Sequence, residues 1–245
     1  MRQIHPVGLH EKFVASGVYT YYHENNPTGS EERWSIHELP DSAQLIRVEQ
    51  NWASGNPRII LIEAWRGSVE NVGGQIERLD ILGFRRDGKK GKATYLLESN
   101  PVRVSYIVDD MLHQDEVDLP TNCVLSTNST LFLGFTLAKA VRELGQCVPV
   151  CKCWPFLSFD AKVETLGAVI RETEVVTIAG KSVRAQGYLL NYPCSSATQE
   201  ENVDLEKQPL VWLDEHHIVL KSESSPGIVT VLLTQYARRP EPPKS

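Results

Sequence analysis

The chain has 245 residues, of which 41% are hydrophobic and 23% charged. These are ordinary values for a globular protein long enough to bury a sizeable core. Its 31 acidic residues outnumber 25 lysines and arginines, giving a net charge of −6 that argues against nucleic acid as a partner, because phosphate binding needs a basic surface. No run of about 18 apolar residues is present, so the sequence predicts no transmembrane segment.

The first 17 residues lack the apolar core and the small-residue cleavage site of a secretory signal. This pattern predicts a cytoplasmic protein. The cysteine count, five, is odd and favours a reducing compartment over a disulfide framework. The proline-rich, charged residues 238–245 predict a disordered tail.

Alternation of apolar and polar residues dominates the chain up to residue 118 and predicts half-buried strands. The first is expected at 18–23, followed by a turn at 25–29 and a strand in which Glu32, Trp34 and Ile36 share one face. Further strands are predicted at 44–50, 58–66, 75–84, 93–98 and 102–109. Residues 87–91 predict a hairpin turn between two of them.

One segment, 129–144, has helical spacing instead, with Leu131, Phe135 and Ala138 on one face. Asn128 or Ser129 is predicted to cap its start, and Gly145 stands where a helix would end. The breadth of the apolar face predicts that this helix packs against the sheet.

The region after the helix, 146–155, is too rich in proline and cysteine for a central strand and is predicted to be a crossover. Alternation then resumes and predicts strands at 162–171, 174–178, 182–192, 210–213, 218–222 and 228–236. The acidic residues 193–209 are predicted to form a surface loop.

Two β-rich blocks, 17–118 and 160–237, therefore flank one helix, 129–144, within a single predicted domain, 1–237. This order predicts a mainly β fold: a strongly curved antiparallel sheet with the helix packed on its concave side. The sheet is expected to be a half-barrel or a lipocalin-like two-lobe barrel.

The C-terminal block has a recognisable order of motifs. Residues 174–188 are followed by Val211-Trp212-Leu213-Asp214 and then by 218–223. This order resembles the end of an uncharacterised bacterial β-sheet family related to the lipoprotein-carrier half-barrels. Gly17-Val18-Tyr19 and Glu32-Arg33-Trp34 are compatible with the opening hairpin of that family. The resemblance implies a half-barrel whose relatives hold acyl chains or other apolar ligands between sheet and helix.

Aromatic residues on such a sheet either fill the core or line an apolar cavity. We predict that the chain binds a hydrophobic, lipid-like small molecule between sheet and helix. The predicted wall consists of Trp34, Trp65, Tyr106, Phe132, Phe135, Trp154 and Tyr188. Charged residues on the same strands, Arg33, Arg47, Glu63 and Arg103, either face this cavity or face solvent on the other side.

The alternative prediction is a cofactor-independent isomerase, cyclase or hydratase that folds an apolar substrate in the same cavity. The candidate proton-transfer groups are His37, Glu63, Asp109 and His113, because a histidine near carboxylates can act as a general base. No nucleophile elbow, zinc-protease helix, P-loop or dinucleotide fingerprint is present.

Three cysteines are closely spaced, Cys147, Cys151 and Cys153, but the CxxC spacing of a zinc knuckle is absent. We therefore expect ordinary packing of thiols, with no metal and no cofactor. A partner-binding role through exposed strand edges is a third alternative, and the sequence leaves the oligomeric state open.

Overall fold

The structure is a computed structural model that describes residues 1–54, 57–67, 76–97, 101–108, 110–120, 122–142, 147–153, 163–191, 208–225 and 228–240. The strands before the helix are β1 (Lys12–His23), β2 (Asn26–Glu38), β3 (Gln44–Asn51), β4 (Ile59–Arg66), β5 (Ile76–Phe84), β6 (Lys90–Leu96), β7 (Val102–Val108), β8 (Met111–Val117) and β9 (Val124–Ser126). The helix α1 spans Thr130–Arg142. The strands after it are β10 (Val148–Lys152), β11 (Val163–Ile178), β12 (Lys181–Asn191), β13 (Leu210–Leu213), β14 (Val219–Ser225) and β15 (Val229–Arg238).

These strands join one sheet in the order β8-β7-β6-β5-β4-β3-β2-β1-β15-β14-β13-β12-β11-β10-β9. The two β-rich blocks meet at the β1–β15 pair, where Gly17 lies opposite Tyr236. Neighbouring strands are antiparallel except β9 and β10, which run parallel. Across the described ranges β8 and β9 are the two ends of the sheet, which is not closed. The prediction of a mainly β protein with one helix is confirmed, while strong curvature and lipocalin-like lobes stay predictions.

Cross-strand pairing sorts the residues of β2 to β6 into two rows on opposite faces of the sheet. One row is apolar and continuous: Trp34, Val48, Ile62, Ile81 and Ala93 lie opposite one another in turn. This face, which α1 also contacts, is called the helix face. The neighbouring row points the other way and is polar: Ser35, Arg47, Glu63, Asp80 and Thr94. This second face is called the outer face.

The helix begins where the sequence predicts. The amide of Phe132 donates to the Ser129 hydroxyl at 3.4 Å, and the amide of Leu133 donates to the Ser129 carbonyl at 3.0 Å, so Ser129 is the cap. Leu131 and Leu137 are fully buried where α1 packs on the sheet. The predicted C-terminal end at residue 144 lies outside the described residues.

Several predicted boundaries are wrong. The first hairpin turns at Glu24 and Asn25, which both have positive φ (47° and 64°), as a two-residue hairpin of this hand requires, and Pro27 already lies in β2. The predicted strands 162–171 and 174–178 form one strand, β11, with a bulge between Ile170 and Thr173.

The predicted crossover at 146–155 is also wrong, because residues 148–152 form strand β10. Its proline is tolerated because the short strand β9 pairs only with Val150 to Lys152, so no partner on that side needs an N–H from Pro149. At the other end of the chain β15 continues to Arg238, and Arg239 pairs with Glu38 at 2.6 Å, which places the start of the predicted tail in ordered structure. Residues 241–245 lie outside the described ranges.

In the ranges that the structure covers, no helix has both the length and the apolar character needed to cross a membrane.

Candidate functional site

A single carboxylate joins the start of the helix to the sheet. Glu32, on the helix face of β2, is completely buried. Its Oε1 accepts hydrogen bonds from the Ser129 hydroxyl at 2.8 Å and from the amide of Leu131 at 3.0 Å. The positive end of the helix dipole therefore meets a negative charge.

The second oxygen of Glu32 is equally well satisfied. Oε2 accepts from the amide of Thr130 at 3.0 Å, from Gln50 Nε2 at 2.9 Å and from the Tyr21 hydroxyl at 3.1 Å. Five donors, none of them a cation, compensate the cost of removing this charge from water. The network fixes the first turn of α1 over β1, β2 and β3.

A cavity of about 280 Å³ lies beside that first turn, bounded by α1 and by strands from both β-rich blocks. Its lining is mainly apolar. The apolar part consists of Trp52, Leu133, Val150, Leu166, Leu190 and Pro209, and the hydroxyl-bearing part consists of Tyr21, Ser126, Thr127, Ser129, Thr130 and Thr136. We call it the helix-side cavity.

Most of these hydroxyls are already hydrogen-bonded to the protein. Thr136 donates to the carbonyl of Phe132 at 2.8 Å, and Thr130 shares a 3.0 Å hydrogen bond with Tyr21. Burial raises the pKa of Tyr21 well above its ordinary value, so this phenol stays a neutral donor. The hydroxyls that are already bonded to the protein have little hydrogen-bonding capacity left for a ligand.

Thr127 differs from the other hydroxyl-bearing residues of the cavity. Its Oγ1 is buried and, in the described part of the chain, has no hydrogen-bond partner. Among the described residues that line this cavity, the charged one is Lys152, and its Nζ lies 3.1 Å from the carboxylate of Glu164. The site is therefore an apolar cavity with one unused hydroxyl.

A second buried polar cluster lies on the outer face, under residues 1–11. Glu63 Oε1 accepts from the amides of Ile4 and His5 at 2.8 and 3.0 Å, and Oε2 lies 2.7 Å from His5 Nδ1. The guanidinium of Arg47 lies 3.4 Å from the same carboxylate. Arg47 and Glu63 thus face neither the cavity nor solvent, the two alternatives predicted for them.

Arg47 also holds the end of this covering segment. Its two terminal nitrogens donate to Glu11 at 2.6 and 2.8 Å, and this paired contact lowers the pKa of Glu11 to about 2. His37 Nδ1 lies 3.4 Å from Glu11, and burial lowers the pKa of this imidazole. The cluster is a set of matched charges that holds residues 1–11 on the sheet.

The predicted ligand wall is not brought together around the helix-side cavity. Trp34 is core, packed between Tyr19 and Tyr236 with both ring separations 6.1 Å. Phe132 is buried against Phe135, whose ring lies under a guanidinium.

The remaining wall residues lie elsewhere. Trp65 contacts His5 and Arg78 on the outer face. Tyr106 stacks on a neighbouring imidazole near the sheet edge, Tyr188 lines a different groove, and Trp154 lies outside the described residues.

The predicted proton-transfer residues are equally dispersed. His37 and Glu63 both contact the Arg47 cluster on the outer face. His113 lies on β8, with its ring stacked 4.9 Å from that of Tyr106. Asp109 lies outside the described residues. None of the three described residues lines the helix-side cavity.

Sequence reasoning missed the residue that organises the site. Glu32 shares a strand face with Trp34 and Ile36, and a lone carboxylate on an otherwise apolar face was the available signal. Its partners, Ser129 to Leu131, come from a distant part of the chain, so the signal could not be interpreted without the fold.

The cysteines divide into two states. Cys147 is held in a disulfide, which differs from the expectation of reduced cysteines throughout. Cys123, Cys151 and Cys153 are buried free thiols, and burial raises the pKa of Cys123 to about 11. Within the described ranges no group of three or more histidines, cysteines or carboxylates could hold a metal ion.

Comparisons with known proteins identify the architecture alone. No family model matches the sequence, and no curated protein matches it. The chain is similar to a crystal structure described as a beta-barrel-like protein of domain of unknown function DUF1849 from Brucella abortus. The TM-score is 0.51 at 10% sequence identity, covering 94% of this chain and 99% of that one. An uncharacterised bacterial β-sheet protein therefore shares this fold, and a relation to lipoprotein carriers stays a prediction.

Proposed function

We propose that the protein binds a small hydrophobic molecule in the helix-side cavity. The observation that carries this proposal is the chemistry of the lining, in which apolar side chains alternate with hydroxyls that are already hydrogen-bonded. A cavity with these properties offers little to a charged or strongly polar ligand and removes apolar surface from water.

The size of the cavity limits the ligand. An engineered cavity of about 150 Å³ holds one benzene molecule, and this cavity has about 280 Å³. The expected occupant is therefore a two-ring aromatic molecule or a short acyl chain. The unpaired hydroxyl of Thr127 favours a ligand with one hydrogen-bonding group, since satisfying a buried hydroxyl adds roughly 1 kcal/mol.

The alternative of an isomerase, cyclase or hydratase has less support. Proton transfer needs an acid or base within hydrogen-bonding reach of the substrate. The described titratable groups at the cavity are the Tyr21 phenol, which is held protonated, and Lys152, which is paired with Glu164. We therefore propose binding rather than catalysis.

The compartment is a separate part of the proposal. The odd cysteine count favours a reducing compartment, whereas the disulfide at Cys147 is typical of an oxidising compartment. Trapping free thiols during cell lysis and counting them by mass spectrometry separates the two: five thiols support the cytoplasm, and three support an oxidising compartment.

The proposal is tested with 1-naphthylamine, an uncharged, fluorescent two-ring probe with one N–H-bearing amino group. We expect saturable binding with an increase in fluorescence. Leu133→Trp, which places an indole ring in the cavity, is expected to weaken binding at least tenfold. Phe135→Trp is the matched control, because Phe135 lies on the same helix but does not line the cavity.

Thr127→Val provides a second, shape-conserving variant. It removes the unpaired hydroxyl, so naphthalene binding is expected to be unchanged while the N–H-bearing probe binds two- to fivefold more weakly. Equal probe affinity in Leu133→Trp, Phe135→Trp and the unmodified protein would overturn the proposal.

A further inference from the structure

The turn that joins β5 to β6 is strongly basic, although the chain as a whole carries a net charge of −6. Residues 85–92 include five lysines and arginines and one aspartate. Arg58, which precedes β4, lies beside them, since its amide donates to the carbonyl of Phe84 at 2.8 Å. We call the exposed cations at this end of the sheet the basic tip: Arg58, Arg85, Arg86, Lys89, Lys90 and Lys92.

Hydrogen bonds of the backbone fix the shape of this turn. The amide of Arg85 donates to the carbonyl of Lys89 at 2.9 Å, and the amide of Gly88 donates to the carbonyl of Arg85 at 3.2 Å. Gly88 has a φ of 84°, which glycine adopts without strain. The guanidinium of Arg86 donates to the carbonyl of Ala53 and so ties the turn to the end of β3. The cations are therefore presented on a turn of defined shape.

Carboxylates in the same turn and in the neighbouring turn neutralise part of this charge. Asp87 lies 3.3 Å from the Arg85 guanidinium, and both side chains are exposed. Asp110 lies in the neighbouring turn, which joins β7 to β8, and Asp109 lies outside the described residues. Six cations against these three carboxylates leave the basic tip with an excess of positive charge.

Exposed apolar side chains lie directly beside the basic tip. On the outer face Lys92 lies opposite Ile107, which in turn lies opposite Leu112, so these three side chains are neighbours in one row. Ile107 is 36% exposed and Leu112 is 63% exposed, and Met111, the first residue after the turn, is 62% exposed. Single exposed apolar residues are ordinary, but a group of them beside a cluster of cations indicates a surface that a partner covers.

We propose that the basic tip and these apolar residues bind the surface of a membrane that contains anionic phospholipids. The lysines and arginines pair with the lipid phosphates, while Ile107, Met111 and Leu112 enter the boundary between headgroups and acyl chains. The combination favours a lipid surface, because phosphates and apolar chains lie at adjacent depths there. The phosphates of a nucleic acid would match the cations alone.

Co-sedimentation with large vesicles tests the proposal. Phosphatidylcholine vesicles that contain about one third phosphatidylglycerol are compared with pure phosphatidylcholine vesicles. We expect at least tenfold tighter binding to the anionic vesicles, and a loss of this preference at high salt, because exposed charges are screened. None of the residues in this contact lines the helix-side cavity, so Leu133→Trp should bind these vesicles as the unmodified protein does. Loss of vesicle binding in Leu133→Trp would place the lipid in the cavity and overturn the proposal.

A paired substitution tests the charge. Lys90→Gln combined with Lys92→Gln is expected to weaken binding to the anionic vesicles about twentyfold, at about fivefold for each cation near the surface. Lys12→Gln combined with Lys181→Gln is the matched control, because it also removes two exposed lysines, at the starts of β1 and β12. Equal losses in the two pairs would show that net charge alone governs binding, and would overturn the proposal.

Leu112→Thr tests the apolar part of the contact and separates a membrane from other polyanions. It is expected to weaken binding to the anionic vesicles about fivefold, since less apolar surface leaves water. Val175→Thr is the control, because Val175 is 64% exposed on β11. Displacement of the protein from vesicles by double-stranded DNA, with unchanged affinity in Leu112→Thr, would reveal a general polyanion site and overturn the proposal. An absence of binding, or equal affinity for neutral and anionic vesicles, would also overturn it.

Discussion

The two faces of the sheet bury carboxylates in different ways. On the helix face Glu32 is surrounded by hydroxyl, amide and backbone N–H donors and has no cation among its hydrogen-bond partners. On the outer face Glu63 and Glu11 are matched by Arg47, with backbone amides and an imidazole completing the set. Neutral donors preserve an apolar environment around Glu32, whereas the charged cluster holds a covering segment in place.

This difference is related to what each face can bind. Residues 1–11 lie over the outer cluster, and the described groups there are engaged with one another. The helix face keeps an apolar cavity immediately beside its buried carboxylate. A ligand site is therefore expected where neutral donors satisfy the buried charge.

The largest predicted effect on stability tests the network of uncharged hydrogen-bond donors around Glu32. Glu32→Gln replaces one acceptor oxygen by a donor that faces other donors, so we expect a loss of about 3–5 kcal/mol in the free energy of unfolding, as for breaking a buried charged network. Urea unfolding followed by tryptophan fluorescence measures it. The neighbouring Glu31→Gln, whose partner is exposed, is the control and should change stability by under about 1 kcal/mol. Similar losses in both variants would contradict the network's role.

The next largest effect tests the charged cluster around Arg47 through the pH dependence of stability. The pKa of Glu11 is lowered to about 2 from 4.5, so its contribution is present above pH 4.5 and is lost as the pH falls towards 2. At roughly 1.4 kcal/mol per pKa unit, Glu11→Gln should cost about 3 kcal/mol at pH 7 and much less at pH 2.

Urea unfolding at pH 7, 4.5, 3 and 2 checks this dependence. Glu215→Gln is the control, because the Glu215 side chain is 86% exposed. A cost for Glu11→Gln that is independent of pH would show that the ion pair with Arg47 does not stabilise the fold.

A smaller effect tests how α1 packs on the turn that joins β13 to β14. A Cβ at Gly134 would overlap the carbonyl oxygen of His217. Alanine ordinarily stabilises a helix interior by about 1 kcal/mol over glycine, but here overpacking should reverse the sign and cost about 1–3 kcal/mol. A shift of the urea midpoint to lower concentration confirms the contact, and a shift to higher concentration contradicts it.

Local patterns predicted the strands and the helix well, because alternation and capping act within a few residues. Ser129 caps α1 as expected, and the strand at 44–50 is observed as β3. The strand β10 was missed because Pro149 is tolerated only through the shortness of β9, its neighbour in the sheet. The amino-acid composition of residues 146–155 does not show which strand lies beside them in the sheet.

The candidate sites were harder to predict, because they depend on contacts between distant segments. Arg47 and Glu63 were recognised as charges in need of an explanation, but their partners lie in residues 1–11. Large aromatic residues were expected to line the cavity, yet Trp34 and Phe132 fill the core. The cavity is lined instead by Trp52, aliphatic side chains, and serines and threonines, most of whose hydroxyls are hydrogen-bonded to the protein. The sequence does not display which hydroxyls are bonded in this way.

The most direct test of the central claim is a crystal structure of the protein soaked with 1-bromonaphthalene, measured at the bromine absorption edge. Ligand binding in the helix-side cavity predicts an anomalous peak between Leu133, Leu166 and Trp52, and its loss in Leu133→Trp crystals. An ordered structure with saturating ligand and no bromine peak in the helix-side cavity would contradict it.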